Sequence, residues 1–264
     1  KETTRRYGVH LAGTFLRQQN GDIYNTCLLV APDQRTWHYD KRYPWMWERA
    51  YFRPGEGITV ADTDLGKIGM LICWDVAHPQ LWQEYAGKVE LILASSCPPA
   101  AQNMSLIFPD GKRIEFGELG PMIRLLQRNT DETFGAHLRR QSSNLNVPVV
   151  HTTGTGLFHS KLPRAGISLA SFLLFAPSLW KYIPQAEQVI AEAGYFNETY
   201  IADASGRVIE RVRAEVESFA LAETEIPASP PQPKGKQPAF GISPLGYWSD
   251  AFANWLVTPL YRAK

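Results

Sequence analysis

The sequence predicts an α/β fold, and two observations carry that reading. From Tyr7 to Ser96, short apolar runs suited to strands alternate with turn signals, among them Gln19-Asn20-Gly21-Asp22 and Ala31-Pro32-Asp33. Within that stretch, Lys67 to Ile72 lacks helical spacing and reads as a short buried strand. Pro79, at a first helical position, then opens a run to Ala86 that Gly87 closes. A strand, a tight turn and a helix therefore surround one thiol, Cys73.

Taken in order, the first residues, Lys1 to Arg6, are polar and do not form a secretory signal. Beyond the strand-rich stretch, Pro98-Pro99 stops a strand over Glu90 to Ser96, and Phe108 to Lys112 reads as a turn. Met122 to Arg128 and Ala136 to Arg140 show apolar residues at helical spacing, ahead of a strand at Val147 to Val150. Sixteen uncharged residues run from Ala165 to Trp180, broken by Pro177. Spanning a bilayer takes about twenty, so the segment reads first as buried in protein, with peripheral membrane contact through 165–180 as the second reading. Pro227 to Pro238 is too proline-rich for helix or strand and reads as an extended connector. The aromatic run Tyr247 to Val257 after it is too short for a stable isolated helix and is expected to dock.

Composition narrows the function. With 27 basic and 26 acidic residues the charge is nearly balanced, and no basic and aromatic stripe marks a nucleic-acid surface. A small-molecule substrate is the simpler expectation. The three cysteines, Cys27, Cys73 and Cys97, form no Cys-x-x-Cys motif, and no His, Asp or Glu cluster has metal-ligand spacing, so neither metal nor cofactor is expected. Reduced thiols point to a cytoplasmic location. At Cys73, a sharp strand-to-helix turn would expose the side chain and aim backbone N–H groups at a developing oxyanion. A helix N-terminus or a nearby cation would lower the thiol pKa. The alternative is a buried structural cysteine.

The segment before Cys73 supports the catalytic reading. Tyr39-Asp-Lys41, Glu48, Phe52-Arg-Pro-Gly55 and Gly69-Met-Leu-Ile-Cys-Trp-Asp75 follow one another in the order and approximate spacing of the nitrilase superfamily, the carbon–nitrogen hydrolases, which the chain resembles from about Tyr7 to Ile226. Gly8 to Thr14, Asn25 to Ala31, Glu90 to Ser96 and Gly194 to Ala204 resemble further strands of that family. The family's Arg-Ala-x-Glu-Asn-like element is represented by Arg139 to Leu145, with Asn144 at the acidic position.

The resemblance implies a four-layer αββα sandwich over residues 1–226, with an apolar insertion near 157–193, then a proline-rich connector and aromatic tail over 227–264. It implies a Glu–Lys–Cys triad in which Cys73 attacks a non-peptide amide, carbamoyl or nitrile carbon and forms a thioester acyl-enzyme. Lys41 and the backbone N–H after Cys73, at Trp74, would hold the oxyanion or substrate, and Glu48 would orient the lysine. The Trp-Asp pair after the cysteine leans towards amidase. The family's general-base glutamate precedes the lysine by several dozen residues. Before Lys41 the sole glutamate is Glu2, so that base is expected before residue 1. Asp75 is expected to cap the following helix. A Cys–His dyad through His38 or His78 is the competing chemistry. An N-acyltransferase of the same superfamily and a non-catalytic binding or assembly relative are the competing functions, and assembly as a homo-oligomer is expected by analogy.

Overall fold

The structure, a computed structural model, describes residues 1–120, 123–124, 132–235 and 241–262. A short helix α1 (Glu2–Tyr7) leads into a meander of β1 (Leu11–Gln19), β2 (Asp22–Val30) and β3 (Thr36–Asp40), paired in that order and antiparallel throughout. Its first turn is the predicted one: Asn20 and Gly21 both take positive φ, as a two-residue hairpin requires. Next come β4 (Val60–Thr63), β5 (Gly66–Ile72), helix α2 (Pro79–Tyr85) and β6 (Leu91–Ser96).

These last strands belong to a six-stranded mixed sheet completed by β9 (Val149–Thr153), β12 (Glu198–Ala202) and β13 (Val208–Arg213), in the order β13-β12-β9-β6-β5-β4. Strands β5, β6 and β9 run parallel at its centre. A parallel strand covered on both faces reads as an unbroken apolar run, which is why Ile68 to Ile72 shows no alternation. Ile68, Met70 and Ile72 meet Cys27, Leu29 and Tyr39 of the meander sheet. From the other face, Leu71 packs with Leu81, Trp82 and Tyr85 of α2 and with Leu138 and Leu145 of α3 (Leu138–Leu145). Helices, the large sheet and the small sheet thus stack in the order of the α/β sandwich that the resemblance implies.

The expected insertion does not build its own sheet. Its strands β10 (Leu157–Lys161) and β11 (Ile190–Gly194) join β7 (Ser105–Ile107) and β8 (Arg113–Glu115) in a four-stranded sheet ordered β10-β11-β7-β8. Helix α4 (Ala165–Phe172) and the 3-10 turns of Pro177–Gln188 cover it, burying Leu169, Leu173, Leu179 and Tyr182 against Leu106 and Phe108. Pro177 divides the apolar run, so the segment is half buried in this second core, while Leu174, Phe175 and Trp180 are exposed. Among the described residues no helix is long and apolar enough to cross a membrane. The helix expected over Met122–Arg128 lies, apart from Ile123 and Arg124, outside the described residues. The tail forms the expected docked helix, α5 (Pro244–Arg262), which packs on the 3-10 turn Met46–Ala50.

Candidate active site

Three segments converge at the carboxyl end of β5. Strand β3 delivers Tyr39 and then Lys41, whose N–H donates to the Asn25 carbonyl at 2.8 Å. The chain folds back so that the Gly55 N–H donates to the Lys41 carbonyl at 2.8 Å. A Cβ on Gly55 would collide with the Asp40 carbonyl, so the Phe52-Arg-Pro-Gly55 turn requires glycine for this close approach. Between these points the turn Met46–Ala50 presents Glu48. Strand β5 ends at Ile72, and Cys73 follows with φ of 49°. A non-glycine residue in the left-handed region costs about 1–3 kcal/mol and persists where its surroundings over-determine it, often at functional sites.

The lysine is almost wholly buried, at 1% exposure, with its Nζ 2.5 Å from Glu48 Oε2. That same oxygen accepts from the Trp45 N–H at 2.6 Å. Burial alone would push the ammonium towards neutrality, but Glu48, Cys73 and Asp75 together outweigh it, and the Lys41 pKa is raised. Lys41 is therefore a cation in a dry site, the arrangement in which one charge stabilises an oxyanion most strongly.

The thiol differs from expectation. Burial pushes the Cys73 pKa up to about 11, against the lowering effect of Lys41 and of the Cys97 backbone amide. A nearby cation was expected to win, but although Cys73 itself is half-buried, desolvation of the thiol by its packed surroundings is the larger effect here. Lys41, Glu48 and Cys73 are nonetheless brought together, since both charged partners act on the sulfur.

Asp75 is not the cap of α2. It is fully buried and accepts from Tyr39 Oη at 2.8 Å, the Tyr43 N–H at 2.8 Å and the Ile72 N–H at 3.1 Å. The lysine-bearing segment is thereby tied to the nucleophile turn through one carboxylate. Asp75→Ala would leave three donors without their acceptor, and a loss of about 3–5 kcal/mol of stability is expected in denaturant unfolding. Burial raises the Asp75 pKa from 3.8 to about 6, against Lys41 and its hydrogen bonds. The folded state therefore holds this proton more tightly than the unfolded chain. Its contribution to stability is full below pH of about 4 and is lost as pH rises through about 6. The stability difference between wild type and Asp75→Asn should shift with that sign across the window.

The dyad alternative finds no support in the geometry. His38 is exposed on β3, on the face opposite the buried Tyr39. His78 stacks on Tyr43 at 3.6 Å, and burial, aided by Arg49, Arg42 and Lys41, lowers its pKa to about 3, so it is neutral. Among the described residues no group of three or more His, Cys, Asp or Glu could hold a metal. Trp74 joins an aromatic wall, 6.1 Å from Trp45 and 6.2 Å from His78, and Trp47 extends the wall to Phe172 of α4 at 5.8 Å. The insertion thus reaches the turn that carries Glu48. A separate cleft of about 940 Å³, lined by Tyr195, Asn197, Arg211 and Arg213 among others, does not include Cys73, Lys41 or Glu48 in its lining.

Known proteins match the first part of the chain. Residues 1–109 match the profile of the Carbon-nitrogen hydrolase family, and this segment carries β1 to β7 and all three candidate residues. That match ends at residue 109 of 264, so the likeness to the carbon–nitrogen hydrolases is one of the first part of the chain. The chain is 28% identical to a probable nitrilase of Schizosaccharomyces pombe over 119 residues, covering 44% of this chain and 43% of the relative. It is 31% identical to a chloroplastic omega-amidase of Arabidopsis thaliana over 115 residues, covering 39% and 30%. The chain spans less than half the length of these curated relatives. Among solved structures, the carbon–nitrogen hydrolase of Helicobacter pylori superposes with a TM-score of 0.56 at 16% identity, covering 99% of this chain and 69% of that one. A mutant amidase from Nesterenkonia, solved with the acetamide moiety of fluoroacetamide added covalently at its active-site cysteine, superposes with a TM-score of 0.52 at 14% identity, covering 80% and 60%. Such likeness confirms the sandwich fold.

Proposed function

We propose that this chain is a member of the nitrilase superfamily and a cysteine-dependent hydrolase of carbon–nitrogen bonds in small molecules, with amides as its first substrate class and carbamoyl compounds and nitriles as the others. The observation that supports it most is the buried Lys41 ammonium, held charged by Glu48 at 2.5 Å and close enough to act on the Cys73 sulfur. Relatives named as amidases, omega-amidases and nitrilases agree with this class.

In the proposed mechanism, Cys73 Sγ attacks the carbonyl carbon and the carbonyl electrons move to oxygen, where Lys41 and the Trp74 backbone N–H oppose the new charge. With the thiol at about 11, little thiolate exists at neutral pH, so the proton leaves Sγ as the S–C bond forms. The family resemblance gives that proton to a glutamate preceding the lysine, and Glu48 holds Lys41 and shares in the transfer. The proton passes to the leaving nitrogen as the C–N bond breaks, releasing ammonia or an amine and leaving a thioester. Water then attacks the thioester, giving the acid and restoring the thiol.

Ammonia release from a panel of primary amides, N-carbamoyl compounds and nitriles tests this reading on the full-length protein. Turnover of at least one amide is the expected result, and no ammonia from any of the three classes would overturn it.

A further inference from the structure

The tail helix α5 meets the site at the points where its backbone is most constrained. Two of the six non-glycine residues with positive φ among the described residues are Met46, at 41°, and Cys73, at 49°. Met46 opens the turn that carries Glu48, and Cys73 is the candidate nucleophile. Asp250 of α5 lies between them. Its side chain is 6% exposed, its Oδ1 accepts from the Met46 N–H at 3.3 Å, and its Oδ2 accepts from Asn254 Nδ2 at 2.9 Å. The Trp74 indole N–H is buried, makes no hydrogen bond of good geometry, and faces the same carboxylate. Burial raises the Asp250 pKa, opposed by the Met46 N–H, the Trp74 indole and Arg49 on the Glu48 turn.

We propose that Asp250 is a positioning residue for the reaction at Cys73, joining the left-handed start of the Glu48 turn to the residue that follows the nucleophile. The proposal rests on the hydrolase reading above. Besides its bond to Asn254 on its own helix, Asp250 is held by the Met46 N–H of the segment that presents Glu48 to Lys41, and the Trp74 indole that it faces is next to Cys73. A carboxylate in this place fixes the separation of cation and nucleophile, and small misplacements of reacting groups can lower rates by as much as about 10²-fold.

Other tail contacts provide the control. Tyr261 Oη donates to Asp22 at the far end of α5, and Arg53 lies over the Tyr261 ring at 4.6 Å. Loosening the tail there should leave the Met46 hydrogen bond and the approach of Asp250 to Trp74 in place. The test is steady-state amide hydrolysis by the full-length wild type, Asp250→Ala, Asp250→Asn and Tyr261→Phe, with hydrogen exchange followed across residues 44–50 and 241–262. Asp250→Ala should lower kcat by about 10- to 100-fold with KM within about threefold, and should speed exchange at Met46. Asp250→Asn, which keeps one acceptor oxygen, should recover part of the loss. Tyr261→Phe should speed exchange in the tail while kcat stays within about twofold. A kcat for Asp250→Ala within about twofold of wild type would overturn the proposal, as would equal losses in Asp250→Ala and Tyr261→Phe. Absence of turnover in the wild type itself would overturn the hydrolase reading and this one with it, and the wild-type control tells that failure apart from the others.

Discussion

Replacing Cys73 with Ala is expected to lower kcat for amide hydrolysis by at least about 10⁴-fold, the scale on which nucleophile deletions act in covalent catalysis. The fold should tolerate the change. At neutral pH the thiol is uncharged because burial holds its pKa near 11, so its removal exposes no partner charge, and Lys41 keeps its ion pair with Glu48. The loss should therefore fall on kcat with little change in unfolding midpoint. Equal ammonia release by the variant and the wild type would remove Cys73 from the mechanism.

Lys41→Met is the second large effect. Methionine fills the buried space of the lysine stem without its charge, and removal of one preorganised oxyanion partner lowers kcat by about 10²–10³-fold. Glu48, at 28% exposure, can turn to water once its partner is gone, so the variant is expected to fold. An independent readout comes from the thiol. Lys41 lowers the Cys73 pKa, so its loss should slow Cys73 alkylation at pH 8 and move the alkylation profile to higher pH. Arginine should rescue poorly, because its planar fork does not fit a pocket built around a single ammonium. An alkylation profile unchanged in Lys41→Met would separate the lysine from the sulfur.

What could be read from the sequence is what local chemistry dictates. The β5 run, the turn at Cys73 and Pro79 at the start of α2 are specified by residues within about twenty positions of one another, and all three form as expected. Phe52-Arg-Pro-Gly55 is legible for a physical reason, since glycine alone permits the approach to Asp40. Long-range contacts were not legible. Asp75 looks like a helix cap in sequence because its partners Tyr39 and Tyr43 are more than thirty residues away. The high pKa of the thiol could not be inferred from a motif that names the cation but not the depth of burial. The insertion's sheet borrows β7 and β8 from residues 105–115, which no periodicity within 157–193 could reveal. Asp250 sits in an aromatic tail whose composition suggests only docking, and its bond to Met46 crosses 204 positions of sequence.

Covalent acylation of Cys73 is the step on which the proposed mechanism turns. Its most direct test is acid-quenched intact-mass analysis and peptide mapping of the full-length protein during turnover of a slow amide or activated ester. An acyl group on the peptide containing Cys73, absent from Cys73→Ala and accumulating in Lys41→Met at a much lower rate, is the predicted result. Turnover with no adduct at Cys73, or with acylation confined to Cys27 or Cys97, would contradict it.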